Sequence, residues 1–142
     1  EGAVALLKLG SGTLTLTGTN SYSGATVVSN GTLAVSAAGT LGTNGLSVVV
    51  GGAGTLALSA GGAIPDAAVV QLPPFGVSTA KLQLDAGVEE TVGWLLYGDT
   101  YKRVGTYGAT GSGADYIDDS HFAGAGRLRV LRAKSGLILG LQ

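Results

Sequence analysis

Apolar residues along the chain alternate with small polar ones in short runs, the period of two that belongs to a half-buried strand. A five-residue unit recurs as Gly12-Thr13-Leu14-Thr15-Leu16, Gly31-Thr32-Leu33-Ala34-Val35, Gly54-Thr55-Leu56-Ala57-Leu58, Ala80-Lys81-Leu82-Gln83-Leu84 and Gly126-Arg127-Leu128-Arg129-Val130. Its third and fifth residues are Leu or Val and share one face, while the second and fourth are Thr, Ala, Lys, Gln or Arg on the other. The starts lie 19, 23, 26 and 46 residues apart, the last close to two periods of 23. Other β-branched runs fall between them, Thr26-Val27-Val28, Leu46-Ser47-Val48-Val49-Val50, Ala68-Val69-Val70-Gln71-Leu72 and Thr91-Val92-Gly93-Trp94-Leu95, so each period holds two or more strands.

Burying two such side chains per strand contributes about 1.5 to 3 kcal/mol each, yet a single rung has nothing of its own to bury them against. Stacking is the physical solution, with equivalent strands of successive turns paired in parallel about 4.8 Å apart and their aliphatic faces turned into a shared core. The expected fold is therefore all-β, a single-stranded parallel β-helix, or β-solenoid. Corners are expected at Gly10-Ser11-Gly12, Ser29-Asn30-Gly31, Thr43-Asn44-Gly45, Gly51-Gly52-Ala53-Gly54 and Ala60-Gly61-Gly62, where Gly and Asn supply positive φ. Asn-Gly also closes antiparallel hairpins, so a meander sandwich or small barrel is the competing architecture. The coil is preferred because strands resemble each other at one whole period, which hairpin pairing does not require.

The stretch from Leu7-Lys8-Leu9-Gly10-Ser11-Gly12-Thr13-Leu14 through Thr15-Leu16-Thr17-Gly18-Thr19-Asn20-Ser21-Tyr22-Ser23-Gly24-Ala25-Thr26-Val27-Val28 resembles the autotransporter-associated beta strand repeat, K-x-G-x-G-T-L-x-L-T-G-x-N-x-Y-x-G-x-T-x-V and then G-T-L. Downstream, Gly62-Ala63-Ile64 with Asp66, Gly87-Val88, Glu90-Thr91-Val92-Gly93, and Gly105-Thr106-Tyr107-Gly108-Ala109 with Asp118-Asp119 look like the segment that closes such repeat regions in large bacterial surface proteins. The resemblance covers about residues 7 to 131. It implies a secreted β-helical passenger or stalk and no catalytic residues, since the motif consists of structural Gly, Thr and Leu. Pro73-Pro74-Phe75 interrupts a rung, and the residues after Leu131 have no counterpart in the motif.

Composition narrows the chemistry. The 142 residues include 26 glycines, only 12% charged residues and no cysteine, which removes disulfides, thiolate metal sites and a cysteine nucleophile. A single histidine removes any site that needs two imidazoles, and the net charge of −1 offers no excess of cations for nucleic acid. No apolar run is long enough for a membrane span. There is no methionine even at position 1, so a processed product or a piece of a longer chain is expected.

Charge is uneven: residues 1 to 80 hold only Glu1, Lys8 and Asp66, whereas 81 to 142 hold the other 14 of 17 charges and six of eight aromatics. That divides one continuous domain into solenoid rungs over 1–92 and, over 93–142, further rungs, a charged, aromatic-rich C-terminal cap and a terminal strand. Trp94 and Tyr97 are expected to pack in the core or cap. The alternative is a carbohydrate-binding or adhesive accessory module, which needs two or more of Trp94, Tyr97, Tyr101 and Tyr107 exposed and coplanar.

Asp115, Asp118, Asp119 and His121 form the one acidic constellation near a histidine, where an acid–base pair or an oxygen-ligated Ca²⁺ could be built. The expected reading is a turn after Gly111-Ser112-Gly113, with no catalytic residue, no metal and no cofactor. Gly10-Ser11-Gly12 is a corner, because the dinucleotide pattern fails at Leu14-Thr15 and no helix comes after it. A polysaccharide-cleaving β-helix would need paired carboxylates on adjacent outward faces, and residues 9 to 65 carry no charge at all.

Finally, Arg127, Arg129, Arg132 and Lys134 precede the apolar run Leu137-Ile138-Leu139-Gly140-Leu141, and Ala3-Val4-Ala5-Leu6-Leu7 is as apolar at the other end. Such runs call for cover. Either 137–141 folds back as a last strand, or it adds to a neighbouring molecule and builds a homopolymer head to tail, with Val4, Leu6, Leu7, Leu137, Ile138, Leu139 and Leu141 as the assembly interface. The basic run would then complement Asp115 to Asp119 or Glu89-Glu90 of the adjacent subunit. The function expected is a non-enzymatic, exported bacterial structural protein, a stalk or passenger module or a self-assembling fibre subunit, with a surface glycan as the other partner class.

Overall fold

The computed structural model describes residues 5–18, 24–36, 39–41 and 47–133, and its regular elements are all strands. Strands β1 (Leu6–Lys8), β3 (Thr26–Val28), β5 (Ser47–Val50), β7 (Val69–Leu72) and β10 (Trp94–Tyr97) pair in parallel in that order. Beside them β2 (Thr13–Leu16), β4 (Thr32–Val35), β6 (Thr55–Leu58), β8 (Lys81–Leu84) and β14 (Phe122–Ala123) form a second, wholly parallel sheet. The molecule is a β-solenoid of stacked parallel strands, as the recurrence of the five-residue unit at whole periods requires.

Register obeys the repeat. Leu14, Leu33, Leu56, Leu82 and Phe122 stack in one ladder, and Leu16, Val35, Leu58 and Leu84 in the next. Leu33, Val35, Leu56, Leu58, Leu82 and Leu84 are fully buried in one core with Val48, Val50, Val70, Leu72 and Leu95 from the first sheet. Leu14 departs from the expected core: it is 40% exposed, because β2 pairs with a strand on one side only among the described residues, and Leu16 is only half-buried.

The corners use glycine alone for positive φ. Gly10, Gly31 and Gly52 adopt φ of 77°, 65° and 57°, and no non-glycine residue among those described has positive φ. The expected left-handed Asn30 is thus corrected: its side-chain Oδ1 accepts the Gly31 N–H at 2.8 Å. Crowding explains why Gly31 stands where it does, since a Cβ there would collide with the carbonyl oxygens of Gly10 and Gly12.

The last unit of the repeat also departs from expectation. Phe122–Ala123 of β14 stacks on β8, while β15 (Arg127–Val130) pairs in parallel with β9 (Glu89–Val92) in a third sheet. On the other side of β15 lies β12 (Gly105–Gly108), antiparallel, and beyond it β13 (Tyr116–Ile117). In the first sheet β11 (Thr100–Tyr101) likewise returns antiparallel on β10. These two reversals end the regular coil.

Candidate functional site

Where the coil ends, its aromatic residues line a cleft of about 820 Å³. Phe75 enters it from the Pro73-Pro74 interruption, Tyr97 from β10, Tyr101 to Val104 from β11 and the link behind it, and Tyr107, Tyr116 and Ile117 from β12 and β13. Tyr97 and Tyr107 face inward because they sit at core positions of their strands, whereas Trp94 alternates to the half-buried outer face.

A closed polar network underlies the floor. Tyr97 OH donates to Asp118 Oδ2 at 2.5 Å, and His121 Nδ1 meets the same oxygen at 2.7 Å. His121 Nε2 lies 2.6 Å from the carbonyl oxygen of Pro73, and the imidazole stacks on Tyr97 with ring centroids 4.0 Å apart. Asp118 Oδ1 accepts the backbone N–H groups of Ser120 and His121, so the turn expected at this constellation is present. Burial opposes the charge on Asp118, but the hydrogen bonds from Tyr97 and His121 outweigh it and hold the carboxyl below its ordinary range. Burial first, then the hydrogen bond to Asp118 and the charge it carries, pushes the Tyr97 phenol up. Tyr107 is pushed up to about 12, chiefly by burial, and donates to the Arg103 carbonyl at 2.9 Å.

The other members of the acidic constellation turn away from this network. Asp119 accepts from the N–H and hydroxyl of Thr110, and Asp115 Oδ2 accepts the N–H of Thr106 at 3.2 Å. The carboxylates of Asp115, Asp118 and Asp119 therefore serve separate backbone positions, Thr106, then Ser120 with His121, and Thr110. Lys81 reaches the Asp119 carbonyl and ties β8 to this loop.

Two features were not foreseen from the sequence. Glu90 is fully buried, its carboxylate accepting N–H bonds from Ala63 at 3.0 Å and Ile64 at 3.3 Å. Burial raises its pKa to about 7 against the pull of those backbone donors. The signal was available, since Glu90 shares a strand face with Val92. Lys8 is the second: it is buried and donates to the carbonyls of Leu9 and Gly10 at 2.7 and 2.9 Å, clasping the corner.

Two cations of the basic run are used within the chain. Arg127 and Arg129 of β15 donate to opposite oxygens of Glu89 on β9, at 3.0 and 2.6 Å. That corrects the expectation that these cations and Glu89 face an adjacent subunit; parallel pairing of β15 with β9 places them side by side. Of the expected assembly residues, Leu6 is half-buried against the core and Leu7 is exposed, while Val4, Leu137, Ile138, Leu139 and Leu141 lie outside the described residues, as does Lys134.

Residues 6–35 match the family model of the passenger-associated-transport-repeat, and with the stacked strands this fits an autotransporter-associated repeat. The match spans β1 to β4, the rungs that carry the first corner glycines and the first two Gly-Thr-Leu units. No curated protein and no solved structure matches the chain. Among the described residues no helix is long and apolar enough to cross a membrane.

Proposed function

We propose that the chain is a non-catalytic structural module, a β-solenoid stalk or passenger segment of a secreted bacterial surface protein. The observation that carries this reading is the register of the rungs: successive copies of one unit stack with the same residues over each other, beginning in the segment that matches the passenger repeat and continuing beyond it. Such a coil lengthens by adding turns and keeps its cross-section, which suits a spacer. The acidic and histidine side chains that would serve catalysis instead tie Tyr97, Pro73, Thr106 and Thr110 together.

An accessory sugar-binding role is less favoured. Tyr97 and Tyr107 are buried, and Trp94 meets Tyr101 edge-on at 72°, so these four rings offer no flat exposed platform.

The face beyond β1 and β2 leaves Leu7, Leu9 and Leu14 exposed beside Ser11, Thr13 and Thr15, and among the described residues it presents strand edges in the register of the repeat. This face takes a further turn of the same kind, and in the isolated chain a second copy substitutes for it. Sedimentation of the isolated chain should show dimers that grow with concentration, and Leu14→Asp should return it to a folded monomer. A wild-type chain that is monomeric at every concentration would remove this contact. Release of reducing ends from any of a panel of polysaccharides would overturn the non-catalytic reading itself.

A further inference from the structure

The corner between β3 and β4 carries a reactive pair that the structural role does not use. The neighbouring rung anchors the chain on either side of it, the Lys8 carbonyl accepting the Ser29 N–H at 3.0 Å and the Gly12 carbonyl the Thr32 N–H at 3.0 Å. Between those anchors stand Asn30, which is exposed, and Gly31. Asn30 Oδ1 accepts the Gly31 N–H at 2.8 Å, which holds Cγ, one bond from that oxygen, beside the Gly31 nitrogen. Glycine adds no side chain to shield that nitrogen, and it takes without strain the φ of 65° found there.

Charge favours attack at the same place. Lys8 Nζ is buried, donates to the carbonyls of Leu9 and Gly10 and lies 3.4 Å from the Asn30 carbonyl oxygen. Among the described residues no carboxylate pairs with it. The ammonium therefore stands against the Asn30–Gly31 peptide unit, where it stabilises negative charge developing on the Gly31 nitrogen. Reacting atoms already held together also avoid much of the entropy that ring closure costs in a free peptide.

We propose that Asn30 is a site of self-modification, in which the Gly31 nitrogen closes on the Asn30 side-chain carbon and the amide ends as a carboxylate. The Gly31 N–H proton leaves to hydroxide, the bond from that nitrogen to Cγ forms, and the bond from Cγ to Nδ2 breaks. The side-chain nitrogen takes a proton from water and departs as ammonia. The five-membered imide then adds one water: opening at Cγ gives aspartate, and opening at the main-chain carbonyl gives isoaspartate. No electrons are exchanged. Either product places the first negative charge in residues 9 to 65, close to Lys8, and isoaspartate also lengthens the main chain by one carbon at a crowded corner.

The test is a time course on the wild-type chain at mildly alkaline pH, with fragment-ion mass spectrometry locating the conversion among Asn20, Asn30 and Asn44, its three asparagines. The reference is a synthetic peptide of residues 27–34, which holds the same Asn-Gly pair without the fold or Lys8. The folded chain should convert at Asn30 several-fold faster than the peptide and yield both acids. A rate equal to the peptide's or below it would overturn the proposal. Asn30→Gln should stay unconverted at this position, because its closure needs a six-membered ring; conversion there at the wild-type rate would mean direct hydrolysis and overturn the cyclic route. Lys8→Met should lower the rate toward that of the peptide while the Ser29 and Thr32 amides keep their protection from hydrogen exchange. An undiminished rate in that variant would overturn the part given to Lys8, and the comparison of wild type with peptide stands without it.

Discussion

At the scale of single residues the fold rests on shape at the corners and on burial in the ladders. Leu56 is fully buried between Leu33 and Leu82, so no rotation of its side chain reaches water. Leu56→Asp should cost about 4 kcal/mol or more, through lost packing and an unpaired charge, and leave the domain unfolded in a thermal melt. Gly31→Ala places a methyl against two carbonyl oxygens at a φ of 65°. Its expected penalty is about 2 kcal/mol, read as a lowered urea midpoint without a change in slope. Glu90 gives the chain a pH dependence. Its carboxyl is raised from 4.5 to about 7 in the fold, so between those values the native state holds a proton that the unfolded chain has lost. Stability should fall as pH rises through that window, by up to about 3 kcal/mol, and stay level above it. Urea unfolding from pH 5 to 8 checks this, and Glu90→Gln should flatten the profile.

At the scale of elements, the repeat unit was legible wherever local alternation and periodicity agreed. Strands β2, β4, β6 and β8 could be placed from Gly-Thr-Leu and Ala-Lys-Leu because the same side chains must recur to stack. Gly126-Arg127-Leu128-Arg129-Val130 carries the same pattern yet sits in another sheet, since alternation tells which face of a strand is buried and not which strand it meets. Phe122 took the ladder position over Leu82 instead, a place that two residues of sequence could not announce. The Tyr97, Asp118 and His121 network was legible only as residue types, because it joins β10 directly to a loop 21 residues later and ties that loop, through His121, to the carbonyl of Pro73. His121→Ala should cost about 3 kcal/mol by stranding that carbonyl and opening space between Phe75 and Tyr97. Hydrogen exchange should then show lost protection at β14 and around Phe75, with β4 and β6 unchanged.

At the scale of the whole molecule, one coil has two different ends. On one side β1 and β2 present the repeat register and exposed leucines, while on the other the strands reverse and aromatic side chains gather around a satisfied polar floor. The uneven distribution of charge and aromatics along the sequence thus reflects a change from repeating rungs to a closing element. The central claim is that the rungs are parallel and in register. It is tested most directly by methyl–methyl NOEs among Leu33, Leu56 and Leu82, which the stacking places about 4.8 Å apart per turn. The account predicts strong cross-peaks from Leu33 to Leu56 and from Leu56 to Leu82, with none as strong from Leu33 to Leu82. Amide and α-proton contacts that instead pair β3 with β4 as an antiparallel hairpin would contradict it.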